Sequence, residues 1–230
     1  MLIVFNIQFK IDYLVKGDSM KKLIFTSIAI MTLASTGYSS VLKGSDYIST
    51  DVGTTYNFER VDANDKDNFL VQTTIKNCND DKTSCQYFSE IKDLSGKEVS
   101  QSKYVYSYIT KNNGDVYIQY PNSDKETLLL PANIEFNKIR KEDITIGNSK
   151  FSNTYEFKKE IPKLTINGKD YENCIELEAN STVKYNGQIE KTQSLETYCK
   201  KTGLVKDTLK ETFNSEKPIV YKNILMSTTK

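Results

Sequence analysis

Tyr104, Tyr106 and Tyr108 recur at every second position of one stretch, YVYSY. On a strand that spacing puts three phenol rings on a single face. Such a row can stack on a sugar ring or line an apolar pocket. Its structural use is cross-strand aromatic packing. Tyr117, beyond Asn113-Gly114, is expected to extend the row. These four tyrosines form the candidate ligand-binding surface.

Glu176 and Glu178 flank Leu177 and share a strand face. Two carboxylates at controlled separation can hydrolyse a glycosidic bond. The same spacing also describes a solvated strand face. Ser-x-x-Lys occurs at Ser40–Lys43, Ser89–Lys92, Ser100–Lys103 and Ser181–Lys184. Enzymes that use this spacing add Ser-Asp-Asn and Lys-Thr-Gly motifs, which are absent here. On a strand, i and i+3 also face opposite ways. Asp62, Asn64, Asp65 and Asp67 crowd one acidic segment. A calcium loop starting at Asp62 would need oxygen at its fifth position and glycine at its sixth, where Lys66 and Asp67 stand. The chain has no histidine, which removes the commonest general base and metal ligand. No catalytic residue, metal site or cofactor is expected.

The elements that must carry these residues read as strands. Fifteen tyrosines and ten phenylalanines accompany abundant Val, Ile and Thr, all strand-favouring. Phe69, Val71, Thr73 and Ile75 alternate with polar residues, as do Phe151, Asn153, Tyr155 and Phe157. Val205, Leu209 and Phe213 share a face with Asp207 and Glu211, two acids out of place in that pattern. Ile219 to Met226 is apolar on both faces, which suits a strand covered on two sides. Asn113-Gly114, Asn167-Gly168 and Asn186-Gly187 each suit a two-residue hairpin turn. Asn133 to Asp143, after Pro131, is the one helix candidate. Pro121 to Lys125 reads as a loop. Roughly nine to eleven closely spaced strands imply an all-β fold. A curved antiparallel sheet, as a half-barrel or a sandwich, with at most one short helix is expected.

The four cysteines give a register. A two-residue turn at Asn186-Gly187 pairs Tyr185 with Gln188, and counting outward sets Cys174 directly opposite Cys199. The parity makes this a non-hydrogen-bonded pair, with Cα atoms ~4.5 Å apart and within disulfide reach. Some partners in that register are awkward, Leu177 against Glu196 among them. Cys78 and Cys85 then pair by elimination around the loop Asn79 to Ser84.

Met20-Lys21-Lys22 precedes the uncharged run Leu23 to Leu33, and small residues follow to Gly37. This order is that of a secretory signal peptide, with cleavage after Gly37 or Ser39. Residues 1–19 are expected to be an upstream mis-start, residues 20–39 the signal, and residues 40–230 a single all-β domain. No cysteine lies near the cut, so a lipid-anchored mature end is not expected. The apolar run is shorter than the ~20 residues a membrane span needs. A periplasmic or extracellular location follows, where disulfides persist. With 31 Lys and Arg against 30 Asp and Glu, no overall field favours nucleic acid or an anionic membrane.

The C-terminal part resembles exported bacterial proteins of unknown function. In those proteins a Gly-turn and aromatic strand lead into a short Cys strand, and a segment close to Tyr-Tyr-Ala-x-Gly-x-Gly-Leu-Val-Lys follows. The matching stretches are Gly168 to Cys174 and Glu196 to Lys206, with Lys201 where the first glycine is usual. Val52 to Phe58 is similar to their Gly-x-x-Trp-x-Tyr strand, with Tyr56 in the tryptophan's place. The resemblance implies a curved antiparallel sheet, similar to the half-barrels that carry lipid-linked cargo across the periplasm. It carries over no catalytic residue. The expectation is an exported, non-catalytic envelope protein that binds an envelope partner or a ligand. The alternatives are a periplasmic carrier of an apolar or lipid ligand and a carboxylate-dependent hydrolase.

Overall fold

The structure, a computed structural model, describes residues 41–63, 68–121, 125–146, 149–185, 187–214 and 216–230. The upstream segment, the signal run and its cleavage positions lie outside the described residues. So do Asn64, Asp65 and Asp67 of the acidic segment.

The fold is all-β. A 3-10 helix, Gly44–Tyr47, precedes twelve strands: β1 Thr55–Asp62, β2 Asn68–Cys78, β3 Ser84–Asp93, β4 Glu98–Thr110, β5 Val116–Gln119 and β6 Glu126–Leu130, then β7 Ile139–Ile146, β8 Ser149–Ile166, β9 Lys169–Tyr185, β10 Gln188–Cys199, β11 Gly203–Phe213 and β12 Ile219–Thr229. All twelve form one antiparallel sheet, ordered β6-β5-β4-β3-β2-β1-β12-β11-β10-β9-β8-β7. Two six-strand meanders are therefore joined where the first and last strands pair.

The sheet is curved and does not close into a barrel. Its edges β6 and β7 share no backbone ladder. Two side chains reach across instead: Arg140 Nη2 donates to Leu128 O at 2.7 Å, and Lys125 Nζ donates to Thr145 O at 2.6 Å. Side chains on the concave face must then pack on each other across the curl. One core joins Tyr47, Val116, Leu129 and Leu130 to Tyr155, Phe157, Ile175 and Leu177. A second joins Tyr56, Phe58, Val71, Ile75 and Tyr87 to Tyr171, Cys174, Cys199, Val205 and Leu225.

The 3-10 helix ties the two halves together at one end. Gly44 N donates to Pro131 O and Ser45 N to Gly114 O, while Lys201 N donates to Asp46 O. This places Tyr47 fully inside the curl.

The turns set the registers. At Asn167-Gly168 both residues take positive φ, and Ile166 pairs with Lys169, as a two-residue turn requires. Tyr185 pairs with Gln188, and the register runs unbroken to Cys174 opposite Cys199. A disulfide joins them with Cα atoms 4.0 Å apart, and another joins Cys78 to Cys85 at 4.0 Å. In the loop-entropy picture, closed loops of about 8 and 26 residues stabilise the fold by about 2.5 and 3.5 kcal/mol.

Three expectations are corrected. Residues 133–143 hold no helix. Ile134 is buried in the core and Ile139–Ile146 pairs along β8. The β-branched run Ile144, Thr145, Ile146 gains a ladder that an isolated turn of helix could not match. The strand at Ile219 to Met226 is not buried on both faces. Leu225 and Asn223 are buried, while Met226 is exposed.

The third correction concerns Asn113-Gly114. Lys111 N bonds Asp115 O, so Asn112, Asn113 and Gly114 form a three-residue loop with Gly114 at φ 96°. Thr110 then pairs with Val116, one residue off the two-residue register. A slip of one residue moves every side chain of β5 to the other face.

Candidate functional site

The concave face carries the tyrosines. On β4, Tyr104, Tyr106 and Tyr108 sit opposite Ser89, Tyr87 and Cys85 of β3. Tyr87 and Tyr106 are stacked, with ring centroids 5.3 Å apart and planes 9° from parallel. Tyr108 tilts against both, at 4.7 Å from Tyr87 and 5.2 Å from Tyr106. Tyr104 lies 6.4 Å from Tyr106. Burial raises the phenol pKa of Tyr87, Tyr106 and Tyr108 well above 10, so the rings are neutral at any physiological pH.

These rings line an open trough with a cavity volume of about 90 Å³. Tyr47, Tyr56, Tyr120 and Tyr198 complete an aromatic wall around it. Tyr117 does not join them. It pairs with Ile109 rather than Thr110 and stands on the convex side, with Lys111 Nζ 5.4 Å from its ring centroid. The three-residue loop before β5 is the reason, and it brings Ile118 and Tyr120 to the cavity in its place.

The floor is polar. Arg60 of β1 is opposite Asn223 of β12, which is opposite Asp207 of β11, which is opposite Glu196 of β10. Arg60 Nε donates to Asn223 Oδ1 at 2.8 Å, and Asn223 Nδ2 donates to Asp207 Oδ1 at 2.6 Å. Glu196 accepts from Ser194 Oγ at 2.7 Å and from Tyr198 Oη at 2.6 Å. All four of these floor residues are buried. Burial pushes Asp207 up to about 6, and nearby Glu196 adds to the rise, while the Asn223 hydrogen bond and the Arg60 charge oppose it.

The remaining candidates lie elsewhere. Glu176 and Glu178 are on the convex face, with Lys159 3.4 Å from the first and Lys158 3.4 Å from the second. They do not converge on a cleft. Ser89 turns inward to Thr73 Oγ1 at 2.6 Å, while Lys92 turns outward to Glu90 at 2.5 Å. Buried Ser181 bonds Asn153 at 2.7 Å, and Lys184 is exposed. Among the described residues, no group of three or more Cys, Asp or Glu side chains could hold a metal ion.

Sequence reasoning marked Asp207 and Glu211 as misfits and Leu177–Glu196 as an awkward pair. All of these acids lie on the buried concave face. Arg60 carried the same signal, since Tyr56, Phe58, Arg60 and Asp62 alternate along β1 and are all buried.

No protein-family model matches the sequence, and neither does any curated protein. Two solved structures resemble the chain. One is a candidate lipoprotein from Parabacteroides distasonis, 14% identical, with a TM-score of 0.56 over 80% of this chain and 98% of that one. The other is a candidate exported protein with a YmcC-like fold from Bacteroides fragilis, 13% identical, with a TM-score of 0.53 over 80% of this chain and 99% of that one. The fold is shared with both. At that identity the likeness speaks for architecture alone. The two disulfides fit an oxidising compartment.

Proposed function

We propose that this chain is an exported, non-catalytic binding protein of the bacterial envelope, and that its site is the tyrosine-lined trough. The observation that carries the reading is the packed aromatic set Tyr87, Tyr104, Tyr106 and Tyr108 on the wall of an open trough. Aromatic side chains left facing a void give up contacts that an occupant would restore. Rings held in place by their neighbours also lose little entropy on binding.

A carrier that swallows a whole lipid is the second reading. The lining suits it: aromatic and aliphatic side chains on a concave face. The cavity volume does not, because ligand pockets are typically ~300 Å³ or more. About 90 Å³ suits a small molecule, or part of a larger one. The hydrolase reading is weaker still, since Glu176 and Glu178 point away from the trough and each faces a lysine.

Native mass spectrometry of the protein purified from its own envelope tests the reading. A low-mass adduct is expected on the native chain. It should be lost when Tyr106 and Tyr108 are both replaced by alanine. A native chain that is bare in every preparation would sink the binding assignment. The amino terminus should begin after Gly37 or Ser39; an uncleaved chain in the cytoplasm would sink export.

A further inference from the structure

We infer that the trough receives an apolar molecule by its single carboxylate, which Arg60 binds at the floor; the inference rests on the binding role proposed above. Arg60 is only 6% exposed. Its Nε is held by Asn223, and its guanidinium carbon lies 5.4 Å from the Tyr221 ring centroid. Among the described residues its buried Nη2 has no hydrogen-bond partner, and no carboxylate forms an ion pair with it. The nearest acid on its row, Asp207, is reached only through Asn223.

A buried guanidinium that no described carboxylate pairs directly is a costly arrangement for a fold to keep. Its planar fork is matched to a carboxylate. A second buried donor lines the same cavity. Tyr47 Oη is buried and has no hydrogen-bond partner among the described residues. Around these two groups the wall is Tyr104, Tyr106, Tyr108, Ile118 and Leu204, which suits an aliphatic or aromatic body.

The neighbouring charges select among anions. Asp207 and Glu196 share the floor with Arg60, and Asp62 lies two residues from it on the same strand face. Tyr104 faces it from β4 and Tyr221 from β12. A phosphate dianion meets about twice the repulsion that a monoanion meets. Asp207, pushed up to about 6, loses its charge in mildly acidic solution. Carboxylate affinity should therefore rise as pH falls from 7.5 to 5.5, where an aliphatic acid is still ionised.

Isothermal titration of the full chain with octanoate, octyl phosphate and octanol decides the matter. Octanoate should bind about tenfold or more tighter than octanol at pH 6. In Arg60→Met that ratio should fall to about one, with thermal melting as the check on folding. Should this variant fail to fold, the native chain is sufficient. Octanoate affinity should rise at least about threefold between pH 7.5 and 5.5 while octanol stays level. A flat or falling octanoate profile overturns the assignment. If octanol binds as tightly as octanoate, the carboxylate assignment fails and the trough reading stands. Tighter binding of octyl phosphate overturns the choice of carboxylate. Binding of none of the three overturns the trough reading and this inference together.

Discussion

Asp207 is the residue whose environment most alters its chemistry. It is buried on a strand face shared with Val205 and Leu209, and its pKa is pushed from 3.8 up to about 6 by that burial. A carboxyl raised in the folded state favours folding most below its unfolded value. That advantage is lost as pH rises through 6. At neutral pH the ionised group therefore costs the fold up to about 3 kcal/mol. Asp207→Asn keeps an oxygen to accept from Asn223 and removes the charge. The variant should gain about 2–3 kcal/mol at pH 7.5 and nothing at pH 3.5. Urea unfolding at the two pH values checks it, and an equal gain at both would refute the buried-charge account.

Between residue and fold, close approach governs the 3-10 helix. A Cβ on Gly44 would meet Leu130 O at 2.6 Å and Leu130 Cβ at 2.7 Å. Both atoms belong to a buried strand end that cannot easily move. Gly44→Ala should therefore lift the helix off β6 and cost about 1–3 kcal/mol. Gly53→Ala, on an exposed turn with open space around it, provides the comparison for positive φ without a clash. The turn before β5 works at the same scale. One extra loop residue there decides that Tyr120, not Tyr117, reaches the trough.

Across the whole molecule, the weak place is the seam between β6 and β7. It is spanned by Arg140 to Leu128 O and Lys125 to Thr145 O, without a ladder. Arg140 also lies over the Tyr155 ring, 4.5 Å from its centroid. Arg140→Met should cost about 1–3 kcal/mol through the lost hydrogen bond and cation–π contact. It should also speed amide hydrogen exchange in β6 and β7 before exchange in β1 or β12 changes. Uniform acceleration across the sheet would show that the seam is not a separate opening unit.

Local pattern determined the all-β class, most of the strands and the Cys174–Cys199 register, which leaves Cys78 for Cys85; it missed β7, whose residues read as a helix candidate. The reason is short range. Alternation and a two-residue turn act on neighbours, so counting from Asn186-Gly187 reaches Cys174 and Cys199 without knowledge of the rest. The misfits Asp207 and Glu196 were visible too, though their meaning was not. Only the paired strands set Arg60, Asn223, Asp207 and Glu196 in one buried row, and only the curl sets the tyrosines around the first three. That depends on β1 pairing with β12, two strands at opposite ends of the chain, and no local pattern encodes such a pairing. The side chain that faces the trough from β5 depended on one loop residue, because a period of two turns any miscount into the opposite face.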